Sequence, residues 1–243
     1  MKKTYGFFIL YLKILMSEKL ALVWSIILPV VIAVLYQKSM LDSVSTNEDL
    51  IQYFSRFWVF ILFSCFVNGI GLQLARLREQ GLLKTYTFIA GNKYPIVFGT
   101  ILTQIVFCLV SLLIFTIIIL IIYGVFEWKI FLLPIILLLV SLPFSLLVLF
   151  LANLPFQYNN FSVIVNFLTY PLFILSIISQ GGSLIELLNP FYVLFEWLSY
   201  ISGLLNVTEY KNINYNAVIT LGIYTLVGYF SLKKLNLLSV VQR

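Results

Sequence analysis

The sequence predicts an all-α integral membrane protein: six transmembrane helices, an interfacial N-terminal helix, a short cytoplasmic helix and re-entrant helices on the outer side. Three observations predict it. Of 243 residues, 62% are apolar and only 10% charged, where a soluble domain carries about a quarter charged. Six windows contain no Asp, Glu, Lys or Arg, and each meets or approaches the roughly 17–25 residues that cross a bilayer as helix. Basic residues gather in alternate intervals between those windows. This composition excludes a soluble enzyme, a secreted disulfide scaffold and a disordered chain. With no histidine and two cysteines, it also excludes histidine acid–base chemistry, zinc sites of the HExxH type and Ser-His-Asp triads. No catalytic residue and no metal ligand set is expected.

The predicted spans are 20–36, 57–75, 96–123, 130–152, 163–178 and 215–232. Continuous apolar runs without a ten-residue alternation exclude a transmembrane β-barrel. Lys2, Lys3, Lys13, Lys19, Arg76, Arg78, Lys84, Lys93, Lys233, Lys234 and Arg243 fall on one side of these spans. Only Lys38, Arg56, Lys129 and Lys211 fall on the other, together with most of the acids. The bias places both termini in the cytoplasm, so the net charge of +6 reports topology and anionic lipid rather than nucleic acid. Trp24, Trp58, Trp128 and Trp197 fall in or near span ends, where interfacial anchors sit. Cys65 and Cys108 fall inside spans two and three, which gives a disulfide framework no support.

Residues 1–19 form an apolar run bracketed by lysines, predicted to lie as a helix in the cytoplasmic interface. Between spans two and three, Leu82, Leu83, Tyr86, Ile89 and Ala90 recur at helical spacing. Gly91-Asn92 and Pro95 supply a stop. The outer segment 179–214 contains two apolar pieces, Leu184–Leu188 and Phe191–Ile201, too short to cross and separated by Asn189-Pro190. They are predicted to dip into the outer leaflet. Polar side chains inside the spans are few. Asn68, Gln73, Gln104, Asn166 and Thr169 read either as a sparse path lining or as interhelical hydrogen-bonding groups.

Two absences bear on energy supply. No span holds the Asp, Glu or His with which ion-coupled carriers bind their coupling ion. No glycine is followed by lysine, so the Gly-x4-Gly-Lys phosphate loop is missing. Energy must come from another chain.

Glu79-x-Gly81 followed by Leu82-Leu83-Lys84, with a long span soon after, resembles the coupling loop of ABC-transporter type-2 permeases. The order of elements along the whole chain is similar to that family too; Ala90-Gly91-Asn92-Lys93 replaces its usual closing Pro-x-Ser/Arg. The resemblance implies a transmembrane half-transporter whose coupling helix, residues 78–91, docks on an ATP-binding subunit through Arg78, Glu79, Gly81, Leu82, Leu83, Lys84 and Tyr86. It implies two ATPase copies and a second permease chain, as a homodimer or related heterodimer. ATP and Mg would sit on the ATPase, with no cofactor on this chain. It further implies a path through spans two and five and an outer gate at Asn189, Pro190 and Phe191. The compact chain looks like the small permeases of peptide-toxin or bacteriocin export in low-GC Gram-positive bacteria, which makes an amphipathic peptide the expected cargo. Self-immunity, drug or lipid efflux, an unpowered carrier and a membrane scaffold remain as alternatives.

Overall fold

Runs of Leu, Ile, Val and Phe long enough to fill a bilayer leave the backbone no polar partner but itself, and helix satisfies every internal N–H and C=O. The computed structural model describes residues 2–17, 26–35, 47–124, 127–178, 189–209, 212 and 214–238. Among them the regular elements are all helical. Helix α1 spans Lys2–Ser17 and α2 Ile26–Leu35. Helix α3 (Asn47–Phe66) runs through a π-helical turn, Val67–Leu72, into α4 (Gln73–Glu79). Then come α5 (Leu82–Ala90) and α6 (Tyr94–Tyr123). Helices α7 (Trp128–Val140), α8 (Leu142–Leu147) and α9 (Leu149–Asn153) form one bent rod. Helices α10 (Tyr158–Ile178), α11 (Pro190–Leu204) and α12 (Tyr215–Lys233) complete the bundle.

Four helical runs are long and apolar enough to cross a membrane: Leu50–Glu79, Tyr94–Tyr123, Tyr158–Ile177 and Tyr215–Lys233. The bent rod of α7 to α9 makes a fifth if it counts as one span. The described residues therefore hold four or five candidates where six spans were expected. The expected first span is described only over Ile26–Leu35, too short to cross alone; its remaining residues, with Trp24, lie outside the described residues, as does the outer piece Leu184–Leu188. The expected straight span four, 130–152, is instead bent by 41° after Val140. Pro143 has no amide hydrogen to donate across that point. The Ser141 hydroxyl takes the Leu138 carbonyl at 2.8 Å beside it.

Helix α3 is axial and α10 peripheral: 72% of the Leu50–Glu79 window is buried inside the protein against 17% of Tyr158–Ile177. Trp58, expected near a lipid interface, is instead among the largest fully buried side chains. Its indole N–H donates to Thr116 Oγ1 at 3.0 Å, so its polar atom finds a partner inside the bundle. Trp128 does face outward, at 70% exposure. Cys65 and Cys108 are free and buried.

Helix α12 crosses α8 at Gly228, where an added Cβ would sit 2.5 Å from Leu146 Cβ and 2.6 Å from its carbonyl carbon. Backbone atoms cannot yield as a side-chain tip can. Gly228→Ala is expected to cost about 1–3 kcal/mol through overpacking, read as a lower unfolding temperature in detergent. An unchanged temperature would show that the helices separate freely at this crossing.

One end of the bundle is tied by polar groups. Lys3 Nζ donates to the Ala90 carbonyl at 2.9 Å, closing the C-terminus of α5. Lys93 Nζ donates to the Lys233 carbonyl at 2.7 Å, closing α12. Both place a cation where a helix presents unpaired carbonyls and negative dipole charge. Burial pulls the Lys93 ammonium below its ordinary pKa. Asn153 joins the same end, donating to the Ser231 carbonyl at 2.8 Å. The start of α1, all of α5 and the end of α12 therefore share one face of the protein.

Candidate functional site

Helix α5 exists because two glycines bracket it. Gly81 at φ 71° and Gly91 at φ 80° adopt the left-handed conformation, which L side chains enter only with strain. Gly81 separates α4 from α5, so the helix begins at Leu82 rather than at residue 78 as expected. Leu83 and Ala90 are buried. Tyr86 packs on Phe7 of α1 with ring centroids 5.7 Å apart. The outward face is Lys84, Thr85, Phe88 and Ile89, with Phe88 76% and Ile89 71% exposed. Of the stripe read from the sequence, Leu83 and Ala90 are buried while Ile89 faces outward.

Arg78 belongs to the end of α4 and points inward, 1% exposed. Its guanidinium donates to the carbonyls of Ala152 at 2.7 Å, Leu154 at 2.8 Å and Phe156 at 3.0 Å. It also pairs with Glu79 Oε1 at 3.0 Å. Three carbonyls left over where α9 ends thus receive a fork of charged donors. Arg78, expected on the ATPase-docking helix, is instead buried and ties the end of α4 to the loop between spans four and five. Glu79, Leu82 and Tyr86 are half-buried, Leu83 is fully covered and Lys84 is exposed. The signal missed in the sequence was the i, i+4 pairing of Lys84 with Phe88 and of Thr85 with Ile89.

The second feature is a cavity of about 480 Å³ walled by α1, α2, α3, the π-helical turn, α4, α6 and α10. Asn68, Gln73, Gln104, Asn166 and Thr169, drawn from spans two, three and five, all line it. Among the described residues its lining contains no Asp, Glu, Lys or Arg. The π-helical turn puts Asn68 and Gly69 at the wall, a distortion often found at functional positions in helices. Burial pushes the Tyr11 phenol up from its ordinary pKa.

Away from α5 the wall becomes aromatic, with Phe60, Phe107 and Tyr170. Phe60 lies 5.1 Å from Phe173 and 6.5 Å from Phe191, measured between ring centroids. Phe191 is fully buried and stacks on Phe63 at 4.0 Å. Asn189 caps α11 by accepting from Phe191 N at 3.1 Å, and its Nδ2 donates to the Leu172 carbonyl at 2.8 Å. Pro190 occupies the first turn, where its missing N–H costs nothing. These three residues join α11 to α10 and stack it over the aromatic end of the cavity.

A comparison with known families decides the identity: the family described as ABC-2 type transporter matches residues 10–207. The chain belongs to the ABC-2 type transporter family. No curated protein and no solved structure matches it. As an ABC-2 permease it is a multi-pass membrane protein and the membrane subunit of an ABC transporter, and the family implies an ABC ATPase subunit and a second permease chain as partners. The match runs through α5, the Arg78 fork, the cavity and α11, and ends before α12.

Proposed function

We propose that this ABC-2 permease exports a toxin-like amphipathic peptide, driven by two ATPase subunits and paired with a second permease chain of the same or related sequence. The cavity is the observation that carries the substrate class. Its wall has carboxamides toward one end, the rings of Phe60, Phe107 and Tyr170 toward the other and, among the described residues, no charged side chain. Such a surface favours an amphipathic cargo over a metal ion or a charged metabolite, which would lose its hydration without gaining a partner.

The ATPase docks on the outward face of α5, through Lys84, Thr85, Phe88 and Ile89, and α5 faces the cytoplasm. The basic bias of the sequence supports that orientation. So does the grouping of α5 with both the Lys3 and Lys233 ends of the chain. ATP and Mg bind on the ATPase, whose closure presses on α5. The push passes to α1 through Lys3 and Tyr86 and to the α9–α10 loop through Arg78. Helices α1 and α10 both wall the cavity, so movement at one end of the bundle reshapes it. The stack at Asn189, Pro190 and Phe191 acts as the outer gate.

Cells lacking the chain separate two physiological roles. Lost secretion of an amphipathic peptide assigns export of a toxin. Intact secretion with raised sensitivity to that peptide assigns self-immunity. If neither changes, the peptide reading falls and drug or lipid efflux takes its place.

A further inference from the structure

Gln104 is the least accessible of the four carboxamides on the cavity wall, 6% exposed. It makes no hydrogen bond among the described residues. The end of its side chain occupies the space that Gly69 leaves by having no Cβ. Asn68, Gln73 and Asn166 face the same cavity, also without hydrogen-bond partners among the described residues. The Tyr11 hydroxyl is buried on the wall beside Thr100. Buried polar groups are normally paired. Of the four amides only Gln104 is buried, while Gln73 is half-buried and Asn68 and Asn166 are exposed, so whatever fills the cavity can reach and pair with all of them.

We infer that the cavity is a binding site for a short uncharged peptide segment, whose backbone amides pair with the carboxamides of Gln104, Asn68, Gln73 and Asn166. A primary carboxamide offers donors and an acceptor side by side, which is what a peptide bond requires in return. A hydrocarbon chain would fill the volume and leave these groups unpaired. A charged end would meet no counter-charge among the described residues of the lining. Phe60, Phe107 and Tyr170 supply the apolar wall for side chains. A cavity of about 480 Å³ is of drug-like size, so it holds a few residues at a time and reads a segment rather than a whole peptide. The inference rests on the permease reading for its meaning as a cargo site; the binding itself needs no ATPase.

The test is calorimetric titration of the full chain in nanodiscs with a tripeptide of apolar residues, N-acetylated and C-amidated. Saturable binding is expected, weakened at least tenfold by Gln104→Leu and restored in part by Gln104→Asn. Gly69→Ala, which displaces the Gln104 side chain, is expected to weaken binding similarly while leaving helical content and elution volume unchanged. The same tripeptide with free charged ends is expected to bind at least tenfold more weakly. Unchanged affinity in Gln104→Leu and Gly69→Ala would overturn the site. So would equal binding of the charged tripeptide, or full competition by a fatty alcohol of matching volume, which would assign the cavity to lipid. Because no ATPase is present, failure here leaves powered transport standing, and tripeptide binding without any ATPase partner would leave the site standing alone.

Discussion

Replacing Arg78 by Met is expected to cost about 3–5 kcal/mol, because breaking a buried charged network leaves polar groups without partners. The substitution strips the carbonyls of Ala152, Leu154 and Phe156 of charged donors and leaves Glu79 without its 3.0 Å partner. Arg78→Lys should recover only part of the loss, since a single ammonium cannot reproduce a planar fork aimed at three carbonyls. Thermal unfolding of the purified chain in detergent checks the stability. Chain that still folds as Arg78→Lys should also show ATP hydrolysis poorly coupled to transport, because the loop after α9 no longer follows α4. Wild-type unfolding temperature in Arg78→Met would show that the fork is replaced by water at no cost.

The second large effect is expected at Phe88 and Ile89. Both side chains are mostly exposed, so Phe88→Asp with Ile89→Asp should leave the fold intact. An ATPase groove that covers them would lose its apolar anchors and gain two buried charges. Central aromatic and aliphatic anchors are worth 2 kcal/mol or more in interfaces of this kind, so the ATPase recovered with a tagged chain should fall by about thirtyfold or more. Undiminished recovery would move the docking surface off α5.

These two expectations stand differently to the sequence. The four or five candidate spans among the described residues were legible because an apolar run of bilayer length has few alternatives to helix. Asn68, Gln73, Gln104, Asn166 and Thr169 stood out for the same reason: a polar side chain is conspicuous among Ile, Leu and Phe. That they face one cavity depends on the rotation of three helices, which their spacing does not set. The outward face of α5 was hidden because Phe88 and Ile89 are apolar, and apolar side chains at helical spacing ordinarily turn inward. Arg78 was hidden by the opposite habit. A charge at a helix end is usually solvated, and nothing local announces the three carbonyls that meet it from more than seventy residues away. Trp58 was placed at an interface by its residue type, while Thr116 supplied the buried partner that type-based reasoning does not see. The bend in span four was half legible: proline marked the region, but Pro134 and Pro171 lie inside helices without ending them.

The measurement that bears most directly on the whole account is uptake of a fluorescent amphipathic peptide into inside-out membrane vesicles carrying this chain with its ATPase. Accumulation is expected with ATP, absent with a non-hydrolysable analogue, unaffected by collapsing the ion gradients and abolished by Phe88→Asp with Ile89→Asp. Accumulation that ignores ATP and follows an ion gradient would contradict it, and would make this chain a carrier that needs no ATPase.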